Sequence, residues 1–169
     1  LVKSQVTRIS RIIRDLVNFS RRSSYEIQLT DVNRRVREAV EIVRVGKKAK
    51  EIYFNVDLND NIPPLPIVPD QIEQVFINIL INGVDAIYSD PNAQQKFAEG
   101  KMQRQISVRS SIEHGRLFIA IQDNGKGIPD EDLSKVFEPF FTTKKVGEGT
   151  GLGLWVSYGI IKSFQGIIK

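Results

Sequence analysis

The stretch GKGIPDEDLSKVFEPFFTTKKVGEGTGLGL, residues 125–154, carries six of the chain's twelve glycines, with the run Phe137-Glu138-Pro139-Phe140-Phe141 between its two glycine clusters. It is entered through Asp123-Asn124-Gly125-Lys126-Gly127-Ile128-Pro129, which follows an alternating apolar run. A carboxylate therefore stands at a strand end, beside backbone without Cβ atoms that a flat ligand can approach closely. At the far end Gly147, Gly149, Gly151 and Gly153 alternate directly before a helical pattern. Amides at a helix N-terminus form an anion site, and glycine spacing lets phosphate oxygens come near. Each half alone is unspecific, since DxGxG is often a turn and a glycine-rich segment often only a loop. The segment is not a Walker A loop, because GxxxxGK[ST] is absent, and not a dinucleotide fingerprint, because no βαβ unit follows.

Upstream, EQVFINILINGVDAI (residues 73–87) belongs to a helix expected from about Asp70 to Tyr88. Val75, Ile79 and Val84 are expected to face the core, while Glu73 or Gln74, Asn78, Asn82 and Asp85 fall at spacings of three and four on another face. Amphipathic helices normally have a polar face, but two asparagines one turn apart in an apolar run are less usual. Amide oxygens suit a hard cation such as Mg²⁺, which keeps its waters and bridges phosphates.

Further out, Thr30 or Asp31 can cap a helix through Val32, Val36, Val40 and Val43, after a break at Ser20–Gln28. Ile52, Phe54 and Val56 alternate as in a half-buried strand, and Pro63, Pro64, Pro66 and Pro69 mark a stiff loop. QISVRSSI and RLFIAIQD, joined by Glu113-His114-Gly115, read as a β-hairpin. Residues 89–104 read as a variable loop, and a last helix is expected over about Leu152 to Phe164. At the start, Val2, Val6, Ile9, Ile13 and Leu16 form a heptad seam. It fits either a helix lying on its own domain or one helix of an inter-chain bundle, and Ile12, Val17 and Phe19 widen the stripe in favour of the bundle.

At 169 residues and 41% hydrophobic, the chain suits one domain with a small appendage. Without cysteine it has neither disulfides nor thiolate metal sites. No apolar run approaches the roughly 20 residues that cross a bilayer. Residues 1–50 hold 13 Lys+Arg against 5 Asp+Glu, a net +8, and the remainder nets −4. That basic third lacks aromatic interleaving and any nucleic-acid motif, so no nucleic-acid partner is expected and an acidic protein partner is.

Taken together, the motifs resemble sensor histidine kinases of two-component systems. EQVFINILINGVDAI is similar to their N box, DNGKGIP to the G1 box, FEPFFTTK to the F box and GEGTGLGL to the G2 box, all in family order. FEPFFTTK, GTGLGL and SYGII resemble particularly the nitrogen-regulatory type. The resemblance implies an α+β fold, a two-layer α/β sandwich of the Bergerat ATP-binding type with a mixed sheet under helices. It makes residues 1–24 part of the second helix of a dimerisation and phosphotransfer hairpin, hence a homodimer, and residues 25–169 the catalytic domain.

Carried over by position, the resemblance implies ATP and Mg²⁺ as cofactors. Asp123 would bind the adenine amino group, Gly125 and Gly127 the turn beneath the base, Asn82 the metal with Asn78 beside it, and Lys144 the terminal phosphate. The implied nucleotide set is completed by Asp85, Ile128, Thr143, Gly149, Thr150, Gly151, Leu152 and Gly153, and residues 125–150 become an ATP lid. Phe137, Phe140 and Phe141 would be a hydrophobic latch on that lid, or simply core. Hydrolytic relatives carry a glutamate one turn before the metal-binding asparagine; here Asn78 stands there, and an amide is no general base. The γ-phosphate would then be kept for transfer to a histidine outside this chain, since the sole histidine, His114, is expected in a surface turn. The onward acceptor would be a response-regulator receiver domain. A cytoplasmic location is expected, with membrane attachment only through absent upstream segments. The family's sheet usually continues beyond Gly166-Ile167-Ile168-Lys169, so an edge strand is expected to be missing.

Overall fold

The computed structural model describes residues 26–90, 94–95, 97, 99–100, 102–145 and 149–169. The heptad seam, the boundary at residue 24 and Gly147 lie outside the described residues. The described chain forms two compact units, 26–127 and 128–169.

The first unit begins with β1 (Gln28–Thr30) and α1 (Val32–Arg44). Of the two candidate caps Asp31 is the one used: its Oδ1 accepts the Arg34 N–H at 3.0 Å, while Thr30 is buried. Val32, Val36, Ala39, Val40 and Val43 bury the apolar stripe. A 3₁₀ turn, Ala49–Glu51, leads into β2 (Tyr53–Leu58). β3 (Leu65–Ile67) pairs antiparallel with β1, placing Leu29 opposite Pro66. The sequence suggested only a break and a proline loop here. A two-stranded ribbon has edges on both sides, and Pro66, which lacks an N–H, is tolerated there.

The second helix, α2 (Pro69–Tyr88), starts with Pro69 in its first turn, where the missing N–H costs nothing. Its buried stripe is Ile72, Val75, Phe76, Leu80, Gly83, Val84 and Ile87. Ile79, expected in the core, is only half-buried. The helix packs against both α1 and the sheet, and this shifts the stripe onto Phe76 and Leu80, leaving Ile79 at its margin. β4 (Gln105–Glu113) runs parallel to β2 and antiparallel to β5 (Arg116–Asp123), giving the mixed order β2-β4-β5. The hairpin turn is type I′, with His114 at φ 49° and Gly115 at φ 73°, and His114 is exposed as expected.

Alternation sorts the sheet into two faces. Phe54, Ile106 and Asp123 share one row, and Val56, Val108 and Ile121 the next, on the face that α1 and α2 cover. The opposite face carries Asn55, Ser107 and Gln122, so the unit is a two-layer α/β sandwich. Residues 89–104 are pinned at their described positions: Gln94 Nε2 donates to the Ile87 carbonyl at 2.7 Å, and Arg104 stacks at 5.0 Å on Tyr88 and 4.8 Å on Phe97.

The second unit contains α3 (Asp130–Leu133) and α4 (Gly153–Ser163), the latter within a residue of expectation at each end. Leu152, Val156, Ser157 and Ile160 are buried, and the Phe137 and Tyr158 rings meet at 5.3 Å. The helix closes through Gln165 at φ 59° and a bond from the Gly166 N–H to the Ile161 carbonyl at 2.8 Å. Residues 166–169 form no strand.

One buried polar network ties α1 to the sheet. Asn33 Nδ2 donates to the Asn59 carbonyl at 2.7 Å, Ser110 Oγ donates to Asn33 Oδ1 at 3.0 Å, and the Asn59 N–H donates to Ser110 Oγ at 2.9 Å. Asn33→Leu strands the Asn59 carbonyl and should destabilise the fold by about 1–3 kcal/mol, seen as a lower urea midpoint at unchanged slope.

Candidate functional site

In the first unit the site is built where the end of β5 meets α2. Asp123, the last strand residue, lies on the helix-covered face in the row of Ile106. Its neighbour there is Gly83: a Cβ on Gly83 would stand 3.3 Å from Asp123 Cβ and from Ile106 Cδ1. Asp123 Oδ1 accepts the Gly125 N–H at 2.9 Å, which turns the chain sharply after the strand.

Gly125 then lies directly on the backbone of α2. A Cβ there would fall 2.4 Å from the Ala86 carbonyl carbon and 2.5 Å from the Ile87 nitrogen, so only glycine fits. The Lys126 N–H bonds the Ala86 carbonyl at 3.4 Å, and Gly127 follows at φ 70°. Asn124 completes the turn by extending the ladder: its Oδ1 accepts the Gln105 N–H at 3.0 Å and its Nδ2 donates to the Gln103 carbonyl at 2.8 Å. The sequence reading assigned Asn124 no role; an asparagine directly after a strand is the one local signal it offers.

These contacts set Asp123 and Gly125 against the helix that carries Asn78, Asn82 and Asp85, all three partly exposed on successive turns. Glu73, one of two candidates for that face, is instead committed to α1: Arg35 Nη1 lies 3.1 Å from Glu73 Oε2 and 2.8 Å from Glu38 Oε2. Asp85 pairs with Lys48, Nζ to Oδ1, at 3.2 Å. At the end of the helix the Tyr88 hydroxyl donates to the Lys48 carbonyl at 2.8 Å, with Glu51 Oε2 a second acceptor at 3.2 Å. Partial burial, then the Glu51 carboxylate, raise the Tyr88 pKa above its ordinary 10.0, opposed by Arg104.

The second unit holds Ile128, Thr143, Lys144, Gly149, Thr150, Gly151, Leu152 and Gly153. Here the aromatic and glycine motifs are drawn together by backbone. The Phe140 N–H donates to the Gly151 carbonyl at 3.0 Å, both residues are left-handed (φ 67° and 70°), and a Cβ on Gly151 would sit 2.3 Å from the Phe140 carbonyl carbon. Thr142 Oγ1 accepts the Lys144 N–H at 3.2 Å, and a Cβ on Gly149 would lie 2.6 Å from that same oxygen. Leu152 buries its side chain and directs its N–H to Thr150 Oγ1 at 3.4 Å. Of the candidate latch aromatics, Phe137 packs on Tyr158, Phe141 is half-buried and Phe140 is 56% exposed.

The first unit thus combines a carboxylate at a strand end with a glycine turn laid on an asparagine-bearing helix, and the second unit carries a glycine segment that opens a helix. Residues 67–169 match the family of histidine kinase-, DNA gyrase B- and HSP90-like ATPases, and the chain belongs to that family. It is 35% identical over 175 residues to the sensor kinase CckA of Brucella abortus and 34% identical over 169 residues to the histidine-protein kinase AtoS of Escherichia coli. It covers 18% and 26% of those proteins while 99% and 100% of the chain aligns. Sporulation kinase E of Bacillus subtilis is 30% identical over 168 residues, 99% of the chain and 21% of that protein. The chain thus spans about a fifth to a quarter of these relatives. Among solved structures it resembles the catalytic domain of the histidine kinase ThkA, with a TM-score of 0.65 at 26% identity over 82% of this chain and 81% of that one. The fold expectation is therefore met.

Gly125→Ala pushes a methyl group into the backbone of α2. A loss of about 1–3 kcal/mol in stability is expected, together with at least a several-fold weaker nucleotide affinity, checked by chemical denaturation and calorimetry.

Proposed function

We propose that this chain is the ATP-binding catalytic region of a two-component sensor histidine kinase, of the nitrogen-regulatory type suggested by FEPFFTTK and GTGLGL. It binds Mg-ATP and passes the γ-phosphate to a histidine on another segment, from which a response-regulator receiver domain takes it. The observation that carries this reading is the side chain at position 78. In hydrolytic relatives a glutamate there activates water; Asn78 cannot, and the nearby Glu73 is held by Arg35.

Each group has a task in this reading. Asp123, turned onto the helix-covered face, accepts from the adenine amino group, and Gly125 and Gly127 leave the base room to lie flat. Thr143 and Lys144 face the terminal phosphate, and the amides of Gly149, Thr150, Gly151 and Gly153 wrap the phosphate chain. Ile128 and Leu152 supply apolar surroundings, and Phe140 is the exposed latch. For the cation, the donors at hand are the two amides Asn78 and Asn82. Among the described residues no three acidic or imidazole groups gather as a metal cage. That donor set fits Mg²⁺, which retains waters and is held largely by phosphates, and the ion when bound would neutralise charge on the transferring phosphoryl group. Dimerisation through residues 1–24 and a cytoplasmic location complete the proposal.

Asp123→Asn should abolish measurable nucleotide binding in calorimetry, while the far-ultraviolet spectrum stays native. To test transfer, the chain extended upstream through an acceptor helix is incubated with γ-labelled Mg-ATP. Acid-labile, base-stable label on the protein with little free phosphate is the expected result. Rapid phosphate release without label would assign the chain to the hydrolytic branch.

A further inference from the structure

Arg104 stands where the chain enters β4, and its side chain is only 19% exposed. The guanidinium lies against two rings, 5.0 Å from the centre of Tyr88 and 4.8 Å from that of Phe97. Its Nη2 donates to Gln94 Oε1 at 2.9 Å, and its Nη1 lies 3.1 Å from Glu51 Oε2. The third nitrogen, Nε, is buried and has no hydrogen-bond partner among the described residues. A stranded donor costs stability, and a methionine would pack on the same rings without that cost. What the guanidinium adds is a two-pronged, charged grip, which joins the last turn of α2 to the 3₁₀ turn and to Gln94.

The residues on either side of Arg104 hold the turn of the candidate site. Asn124 Nδ2 donates to the Gln103 carbonyl and Asn124 Oδ1 accepts the Gln105 N–H, so one side chain straddles position 104. The Arg104 carbonyl is bound to the neighbouring strand, where it accepts the Tyr53 N–H at 2.9 Å. Gln94 returns to the helix: its Nε2 donates to the carbonyl of Ile87, the residue whose nitrogen lies against Gly125. The start of β4, the last turn of α2 and the Asp123-Asn124-Gly125 turn are thus tied together, and the Arg104 side chain links the first two.

We propose that Arg104 is a positioning residue for base recognition: by locking residues 103–105 to the end of α2, it fixes the backbone on which Asn124 hangs, and with it the Asp123 carboxylate. This rests on the reading of Asp123 as the acceptor for the adenine amino group. A hydrogen bond weakens steeply once its alignment is lost. A loosened strand start therefore costs the contact with that amino group before it costs the phosphate contacts.

The test compares Mg-ATP with the Mg-bound triphosphate of purine riboside, which lacks only the 6-amino group, by competition against a fluorescent ATP analogue. Variants are compared once their far-ultraviolet spectra are native. In Arg104→Met, ATP should weaken by about three- to tenfold, the scale of one hydrogen bond, and the amino-less ligand by less than about twofold, so the preference for ATP falls. Arg104→Lys keeps the charge but not the planar fork, and should lose the preference as well. Asn124→Ala should show the same pattern, and the double variant Arg104→Met/Asn124→Ala should be no worse than the more damaging single change, because both act through one link. Gln94→Ala removes one prong and should lower the preference by about twofold; it carries the test if Arg104→Met does not fold. An unchanged preference in the folded variants, equal weakening of both ligands, or additive losses in the double variant would each overturn the proposal. Those results leave the nucleotide reading standing. A wild-type chain that binds neither ligand, or both equally, removes the adenine contact of Asp123 and the role of Arg104 with it.

Discussion

The first unit depends on one contact between two stretches of backbone. Where the chain leaves β5, it lies on the carbonyl of Ala86 and the nitrogen of Ile87 so closely that no side chain fits between them. The contact decides more than a glycine. It sets the depth at which β5 ends beneath α2, and so brings the Asp123 carboxylate to the place left open by Gly83. The turn is held on three sides: Asp123 Oδ1 bonds it from within, Asn124 ties it to β4, and the Lys126 N–H bonds the Ala86 carbonyl of the helix. A site that recognises a flat base needs a fixed carboxylate and an accessible backbone, and both follow from this single approach.

Much of this was legible in local pattern. The alternation of Ile52, Phe54 and Val56, the hairpin around His114-Gly115 and a helix cap at Thr30 or Asp31 are governed by neighbours within a few residues, and the structure has the alternation, the hairpin and the second of the two caps. The grouping of Asn78, Asn82 and Asp85 on one face follows from helical geometry alone. What local pattern missed was decided over long separations. The ribbon of β1 with β3 joins two three-residue strands 37 positions apart, one of them containing a proline. Ile79 and Leu80 are equally apolar, and only the joint packing of α2 on α1 and the sheet chooses between them.

The same distinction separates the two candidates for a charged role on α2. Glu73 and Asp85 look alike in the sequence, both acidic and both beside the polar face. Their partners differ: Glu73 meets Arg35 of α1 and serves to join two helices, whereas Asp85 meets Lys48 beside the turn that carries Gly125. Nothing within a few residues of either carboxylate announces these partners, since Arg35 and Lys48 each lie more than thirty positions earlier.

The parallel pairing of β2 with β4 has a consequence for how the chain reaches its native state. Strands that run parallel require a crossover, and here the crossover contains α2 itself. The β4–β5 hairpin closes through a two-residue turn and is a microsecond event. The β2–β4 ladder instead closes a loop of about fifty residues, a step with a larger entropic cost and a slower rate. Asp123 is thus placed early relative to β4 but late relative to α2. A newly made chain would hold its carboxylate at the open end of a formed hairpin, opposite Ile106, for some time before the helix that completes the site has docked.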